Sequence, residues 1–91
     1  MKNRLKVDDC LSFIPRRIAE NALDISSPTL REYQGYLNQL SPKGWDYQSG
    51  DRGFSRNSLE VLISFRVMVQ DLGKRQAILN IRSVMEQKHN V

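Results

Sequence analysis

The chain is poor in the residues that carry most protein chemistry. Cys10 is its only cysteine and His89 its only histidine. An internal disulfide needs two cysteines, and a zinc site or a cysteine–histidine nucleophile pair needs more of these side chains than the sequence offers. The one adjacent pair of carboxylates, Asp8-Asp9, has no pattern of a substrate site around it. We therefore predict no metal, no cofactor and no enzymatic activity.

Long apolar runs are also missing. No run approaches the roughly 20 residues that cross a bilayer, and the basic start MKNRLKVDDC is not followed by the apolar core of a secretory signal. With 91 residues, 40% of them apolar and 26% charged, the composition is typical of one soluble globular domain. We expect a cytoplasmic protein with no membrane partner. A core this small would gain from dimerisation.

The basic residues are mostly arginine. The net charge at pH 7 is +4, the pI is about 9.6, and nine of the 14 basic residues are arginine. The planar guanidinium group suits phosphate and guanine edges better than the lysine ammonium does. A moderate excess of positive charge does not identify a binding partner. The partner has to be inferred from the positions of the basic residues.

We divide the chain into residues 1–11, an N-terminal arm or short element, and residues 12–91, the domain proper. A first helix is predicted to start near Pro15, with Arg16 and Arg17 in its first turn, where cations oppose the helix dipole. Its predicted buried stripe recurs at helical spacing and consists of Ile14, Ile18, Ala22 and Ile25.

The stretch ISSPTLREYQ, residues 25–34, predicts the start of a second helix. Ser27 suits the N-cap and Pro28 the first helical position, and the helix should end by Leu40. The turn before it, LDIS, is short, so the two helices would form a helix-turn-helix, whose second helix can enter a major groove. The residues expected to face the core are Leu30, Tyr33 and Leu37.

The next stretch, KGWDYQSGDRGFS, predicts a β-hairpin. Two short runs, 44–48 and 52–55, flank the turn cluster 49–51. Trp45 and Tyr47 would share one strand face, and Phe54 would pack across from them.

Two further helices complete the predicted fold. RNSLEVLISFRVMVQDLG should be capped by Asn57 or Ser58 and stopped by Gly73. Because this helix is apolar on nearly every side, it is either central to the domain or shared with a second chain. The last helix, KRQAILNIRSVMEQK, places Ala77, Ile78, Ile81 and Met85 on one face. The fold class is therefore mostly α: two helix-turn-helix helices, a hairpin wing and two further helices.

In this order, four motifs over roughly residues 12–87 resemble the winged helix-turn-helix DNA-binding domain of the MerR family. They are Ser27-Pro28 with Thr29-Leu30-Arg31-x-Tyr33, then Leu40-Ser41-Pro42, then Arg52-Gly53-Phe54-Ser55, and finally Asp71-Leu72-Gly73. The chain departs from the family pattern at Asp24, where glycine is common, and at Gly35, a glycine inside the second helix. It also stops where family members usually continue into a dimerising coiled coil and an effector domain, so we expect no small-molecule effector domain.

The resemblance implies double-stranded DNA as the partner. Arg31, Tyr33 and Arg52 would take the family's backbone-contacting roles. Other basic residues in this fold join them as candidate backbone contacts: Arg16, Arg17, Lys43 and Arg56. Candidate base contacts lie on the second helix: Thr29, Glu32, Gln34 and Asn38. Tyr33 also fits the core, so its ring could pack while its hydroxyl reaches a phosphate.

One such domain makes few base contacts, so a twofold homodimer on an inverted repeat is expected. The predicted dimer interface uses the third and fourth helices: Phe65, Val67, Met68, Leu72, Ile78, Ile81 and Met85. We predict a small transcriptional repressor of the bacterial cytosol that occludes promoters, in keeping with effector-less relatives that accompany mobile elements. An excisionase-like DNA-bending protein and a protein-interaction adaptor are the alternatives.

Overall fold

The computed structural model describes residues 13–89, so the predicted arm at residues 1–11 lies outside the described residues. Along the chain the elements are β1 (Phe13–Pro15), α1 (Arg16–Leu23), α2 (Ser27–Leu40), β2 (Gly53–Ser55), α3 (Arg56–Leu72) and α4 (Lys74–His89). The described part is therefore mostly helical, as predicted. Helices lie over all four segments for which helical spacing predicted them.

The small sheet differs from the predicted hairpin. β1 pairs antiparallel with β2, with Phe13 opposite Ser55 and Pro15 opposite Gly53. Residues 44–48, predicted as a strand, form none. Their rings instead pack on β2: the Trp45 and Tyr47 centroids lie 6.1 and 5.2 Å from that of Phe54. The hairpin prediction was wrong because local turn residues reveal only neighbouring strands, and the true partner lies far upstream.

Helix boundaries follow the prediction, but two caps fall earlier in the chain. Ser26, not Ser27, caps α2, and its hydroxyl accepts a bond from the Thr29 amide at 3.4 Å. Ser55, not Asn57 or Ser58, caps α3 and accepts from the Ser58 amide at 3.1 Å. Pro28 is therefore the second residue of α2 and not, as predicted, the first. Proline is tolerated there because the first amides of a helix have no intrahelical partner.

The predicted buried stripe of α1 is wrong at Ile18 and Ala22 and holds in part at Ile14 and Ile25, which are half-buried and pack against the core. Ala19 and Leu23 are buried, whereas Ile18 is 52% exposed and Ala22 is exposed. Ile14 belongs to β1, and the helix begins only at Arg16. Because the strand pairing fixes the direction in which the chain enters α1, the face that meets the core is one residue out of phase with the predicted one.

The other helices bury the predicted residues. Leu30, Tyr33 and Leu37 of α2 are buried, and the Tyr33 ring meets Phe65 edge-on with centroids 4.9 Å apart. α3 is the central element, since it packs against α1, α4 and both strands. α4 buries Ala77 together with Ile81 and Met85, and half-buries Ile78.

This packing corrects part of the predicted dimer interface. Phe65, Ile81 and Met85 are at most 1% exposed, so their side chains belong to the core of a single chain. Val67 and Leu72 are exposed by 48% and 55%. Met68 and Ile78 are half-buried. Because α3 carries apolar residues on nearly every side, the sequence alone does not indicate which of these side chains are covered by other helices of the same chain.

Candidate nucleic-acid interface

The strand pairing brings basic residues from distant parts of the chain to one end of the sheet. Pro15 is opposite Gly53 in the register. Arg16 directly follows Pro15 and Arg52 directly precedes Gly53, so the two arginines lie side by side where the strands end. Arg17, exposed in the first turn of α1, is next to them. The pairing therefore brings three arginines to this end of the sheet, and we call them the sheet-end cluster (Arg16, Arg17 and Arg52).

The absence of a side chain at Gly53 makes this pairing possible. A Cβ at this position would overlap the carbonyl oxygen of Ile14 and would also press on the Phe13 ring. Because the obstructing oxygen belongs to the backbone of the partner strand, it cannot rotate away. The glycine thus allows β2 to approach β1 closely enough to bring Arg52 next to Arg16.

Arg16 joins the sheet-end cluster to α2. Its Nη1 donates to Oε1 of Gln34 at 2.7 Å, and its guanidinium carbon lies 5.4 Å from the centroid of the Phe54 ring. Arg16 is half-buried. A cation over an aromatic face and a hydrogen bond to an amide hold the guanidinium in one place. The position of α2 relative to the cluster is therefore fixed by a side-chain contact.

The face of α2 opposite the core carries a row of exposed residues, Arg31, Gly35 and Gln39, which we call the outer row. Their spacing of four places them one above the other on the helix surface. Arg31 and Gln39 make no side-chain hydrogen bond or ion pair with any residue between 13 and 89. Gln39 was missed from the sequence, where nothing distinguishes it from other polar helix residues.

Each predicted base contact on α2 has an intramolecular partner instead. The Thr29 hydroxyl accepts from Ser26 Oγ at 3.0 Å, within the helix cap. The Asn38 Oδ1 accepts from Trp45 Nε1 at 2.9 Å, and Gln34 is held by Arg16. Glu32 accepts from Lys74 Nζ at 2.6 Å and from the Tyr36 hydroxyl at 2.9 Å. A DNA base would have to compete with these bonds.

Glu32 lies on the flank of α2 that faces α4. The hydrogen bond from Lys74, followed by that from Tyr36, lowers the pKa of the Glu32 carboxyl below its usual value of 4.5. The same carboxylate raises the pKa of Lys74 above 10.5 and that of Tyr36 above 10.0. Glu32 thus remains ionised and paired, which makes it a positioning residue between two helices rather than a free acceptor.

The loop after α2 is held against the protein by polar contacts. Asp46 Oδ1 accepts from the hydroxyls of Ser55 and Ser58, both at 2.6 Å. The Asp46 amide in turn donates to Ser58 Oγ at 3.0 Å. Together with the Trp45–Asn38 bond, these contacts fix the loop between the C-terminal half of α2 and the start of α3. Asp51, directly before Arg52, accepts from the Tyr47 hydroxyl at 3.3 Å and from the Gln48 amide at 2.9 Å, so the loop is also held at its far end.

The remaining predicted backbone contacts lie apart from the sheet-end cluster. Arg56 follows Ser55, which is paired with Phe13, so it lies at the opposite end of the sheet from Arg16. Lys43 lines a polar pocket of about 250 Å³ with Arg82 and Glu86 of α4. Tyr33 is buried, and its ring belongs to the core. The structure therefore does not gather all predicted cations in one place.

Arg66 is a further arginine with a structural role. Its Nε donates to the Leu23 carbonyl at 3.0 Å and its Nη2 to the Asp24 carbonyl at 3.4 Å. Both acceptors lie at the C-terminal end of α1, where Asp24 adopts left-handed dihedral angles (φ 56°, ψ 52°). Arg66 therefore ties the turn between α1 and α2 to the central helix and is not available to a ligand.

Within residues 13–89, no group of three or more histidine, cysteine, aspartate or glutamate side chains could hold a metal ion. Among the helices the structure describes, none is long and apolar enough to cross a bilayer. Comparison with known proteins adds no relative: no family model matches the chain, and no match was found among curated proteins or solved structures.

Proposed function

We propose that this protein binds double-stranded DNA in a sequence-specific manner and represses transcription, as a winged helix-turn-helix protein similar to the MerR family. The observation that carries the proposal is the sheet-end cluster, which is linked to α2 by the bond between Arg16 and Gln34. An exposed helix with cations fixed beside it is the arrangement that a helix-turn-helix presents to a duplex.

Two kinds of contact would contribute to DNA binding. Arg16, Arg17 and Arg52 would bind phosphates on one side of the helix, with Arg31 on α2 itself and Lys43 and Arg56 further out. Such contacts supply most of the salt-dependent affinity and fix the register. Sequence preference would come from α2, first from Gln39, because the predicted base contacts Thr29, Glu32, Gln34 and Asn38 would each have to give up an intramolecular bond to reach a base. A glutamine amide can pair with the edge of adenine.

Repression would follow from occupancy of the site. A dimer bound across a promoter excludes RNA polymerase and needs no second ligand. The order of α1, α2, the loop with β2, and then α3 and α4 is compatible with a single winged helix-turn-helix unit. An activator of the MerR type works by distorting its promoter in response to an effector, and we assign none of residues 13–89 to an effector. Promoter occlusion, with control of a mobile element's genes as one setting, is therefore the mechanism we propose.

A homodimer would bring two such units to an inverted repeat. The exposed apolar residues Ile63 and Val67 of α3 line a groove of about 230 Å³ with Met68 and Val84, between α3 and α4. We place the dimer contact on this face. Sedimentation should give a dimer at micromolar concentration, and Val67→Glu should give a folded monomer. Ser83→Glu, on an exposed position of α4, is the control and should leave the dimer intact.

The decisive experiment is selection of duplexes from fragments of the source genome, followed by titration of the selected duplex. We expect saturable binding at about 50 mM salt, weakening steeply as salt is raised. One palindromic footprint over a promoter would support the repressor. A row of direct repeats with bending of the DNA would indicate the excisionase-like alternative instead.

A protein-interaction adaptor is the second candidate function, and the same apolar groove on α3 and α4 favours it. In that case, the groove would hold a segment of a larger partner and α2 would have no duplex to bind. Absence of any binding at about 50 mM salt, where phosphate contacts are strongest, would favour the adaptor.

A further inference from the structure

Gly35 lies in the middle of α2 although the fold does not require a glycine there. Its backbone is helical, and a Cβ built on it would have no neighbouring atom within 4 Å. Alanine is the better helix former, because glycine gives up more conformational freedom in a helix. Neither core packing nor backbone conformation therefore accounts for this residue.

The position of Gly35 in the outer row suggests a functional reason for the glycine. In the outer row it lies between Arg31 and Gln39, one turn from each. On one flank, Gln34 is held by Arg16, and on the other Glu32 is held by Lys74. The neighbouring side chains are thus drawn aside or lie one turn away. At Gly35 the peptide backbone itself forms the surface of the helix.

We propose that Gly35 is the point at which α2 comes closest to the bound duplex, with base edges of the major groove packed directly against its backbone. The inference rests on the proposed function and makes Gly35 a specificity-determining position within it. A side chain at this position would hold the helix away from the base edges. Its Cβ would meet no neighbouring atom of the protein within 4 Å.

The test is to introduce Gly35→Ala and Gly35→Leu and to titrate each variant with the duplex selected by the wild type. Both substitutes are good helix formers, so thermal melting should show a higher Tm than the wild type. We expect the Kd for the duplex to rise roughly tenfold for alanine, equivalent to about 1.4 kcal/mol. Leucine, with its longer side chain, should weaken binding further.

A matched control is Ser83→Ala, which also replaces a small residue at an exposed helical position but lies on α4. It should raise the Tm and leave the Kd unchanged. If Gly35→Ala raises the Tm and keeps the Kd within about twofold of the wild type, a smaller change than one lost contact gives, the inference is overturned while the proposed function stands. If the wild type binds no duplex, the proposed function itself fails.

Discussion

The ammonium of Lys74 lies 2.6 Å from Oε2 of Glu32, and this contact ties the first residue of α4 to the middle of α2. The two residues are 42 positions apart in the chain. The same carboxylate accepts the Tyr36 hydroxyl. The helix that we propose to enter the groove is therefore held from two sides: by Lys74 on one flank and by Arg16 on the other.

The first prediction concerns the pH dependence of stability. Because the pKa of Glu32 is lower in the folded chain than its ordinary 4.5, the pair stabilises the fold fully above that value. This contribution should be lost as the pH falls from 4.5 through the folded pKa. Glu32→Gln should remove it and flatten the acid limb of a plot of unfolding free energy against pH. An unchanged acid limb would contradict the assignment.

A second prediction uses the turn between α1 and α2. Asp24 has φ 56°, in the left-handed region that costs a residue with a Cβ more than it costs glycine. Asp24→Gly should therefore increase the free energy of unfolding by about 0.5–1 kcal/mol. As a control, Ala22→Gly, at an exposed position within helical α1, should lower it by about 1 kcal/mol. Denaturant titration measures both. A loss of stability on Asp24→Gly would contradict the prediction.

Helical periodicity was enough to predict most of this architecture. The second helix shows why: Leu30, Tyr33 and Leu37 all meet the core, and the helix ends at Leu40 as expected. For α3 the same rule was insufficient. Its apolar residues surround the helix, and Phe65 is covered because the Tyr33 and Tyr36 rings of α2 pack on it, while Val67 is exposed. That choice depends on tertiary contacts, which periodicity does not encode.

The sheet and the site illustrate a second limit. Turn residues at 49–51 indicated a local hairpin, but β2 pairs with Phe13–Pro15 instead. The convergence of Arg16 with Arg52 is a consequence of that distant pairing, so the sequence supplied the candidate residues without their arrangement. Likewise, the polar residues of α2 could be predicted as exposed or half-exposed. Which of them bond to Arg16, Trp45 or Lys74 depends on the three-dimensional packing.

A third prediction tests the sheet itself. Gly53→Ala places a Cβ against the carbonyl oxygen of Ile14 and should separate the strands. We expect a loss of about 1–3 kcal/mol in unfolding free energy, as for an overpacked core position. The duplex should also bind more weakly because Arg52 moves away from Arg16. Gly50→Ala, where a Cβ meets nothing within 4 Å, is the control and should leave the strands paired; any stability that it loses reflects the left-handed φ of 96° at Gly50, which Gly53 does not share.

The last prediction concerns Arg31, the exposed cation of the outer row. Replacing Arg31 with glutamine removes one phosphate contact and should raise the Kd for every duplex by a similar factor. The slope of log K against log salt should become shallower by about 1. Arg75→Gln removes the same charge from an exposed position on α4, outside the outer row, the sheet-end cluster and the pocket that Lys43 lines. If both variants changed the slope equally, the effect would reflect net charge alone, and α2 would lose its assignment as the helix that meets the DNA.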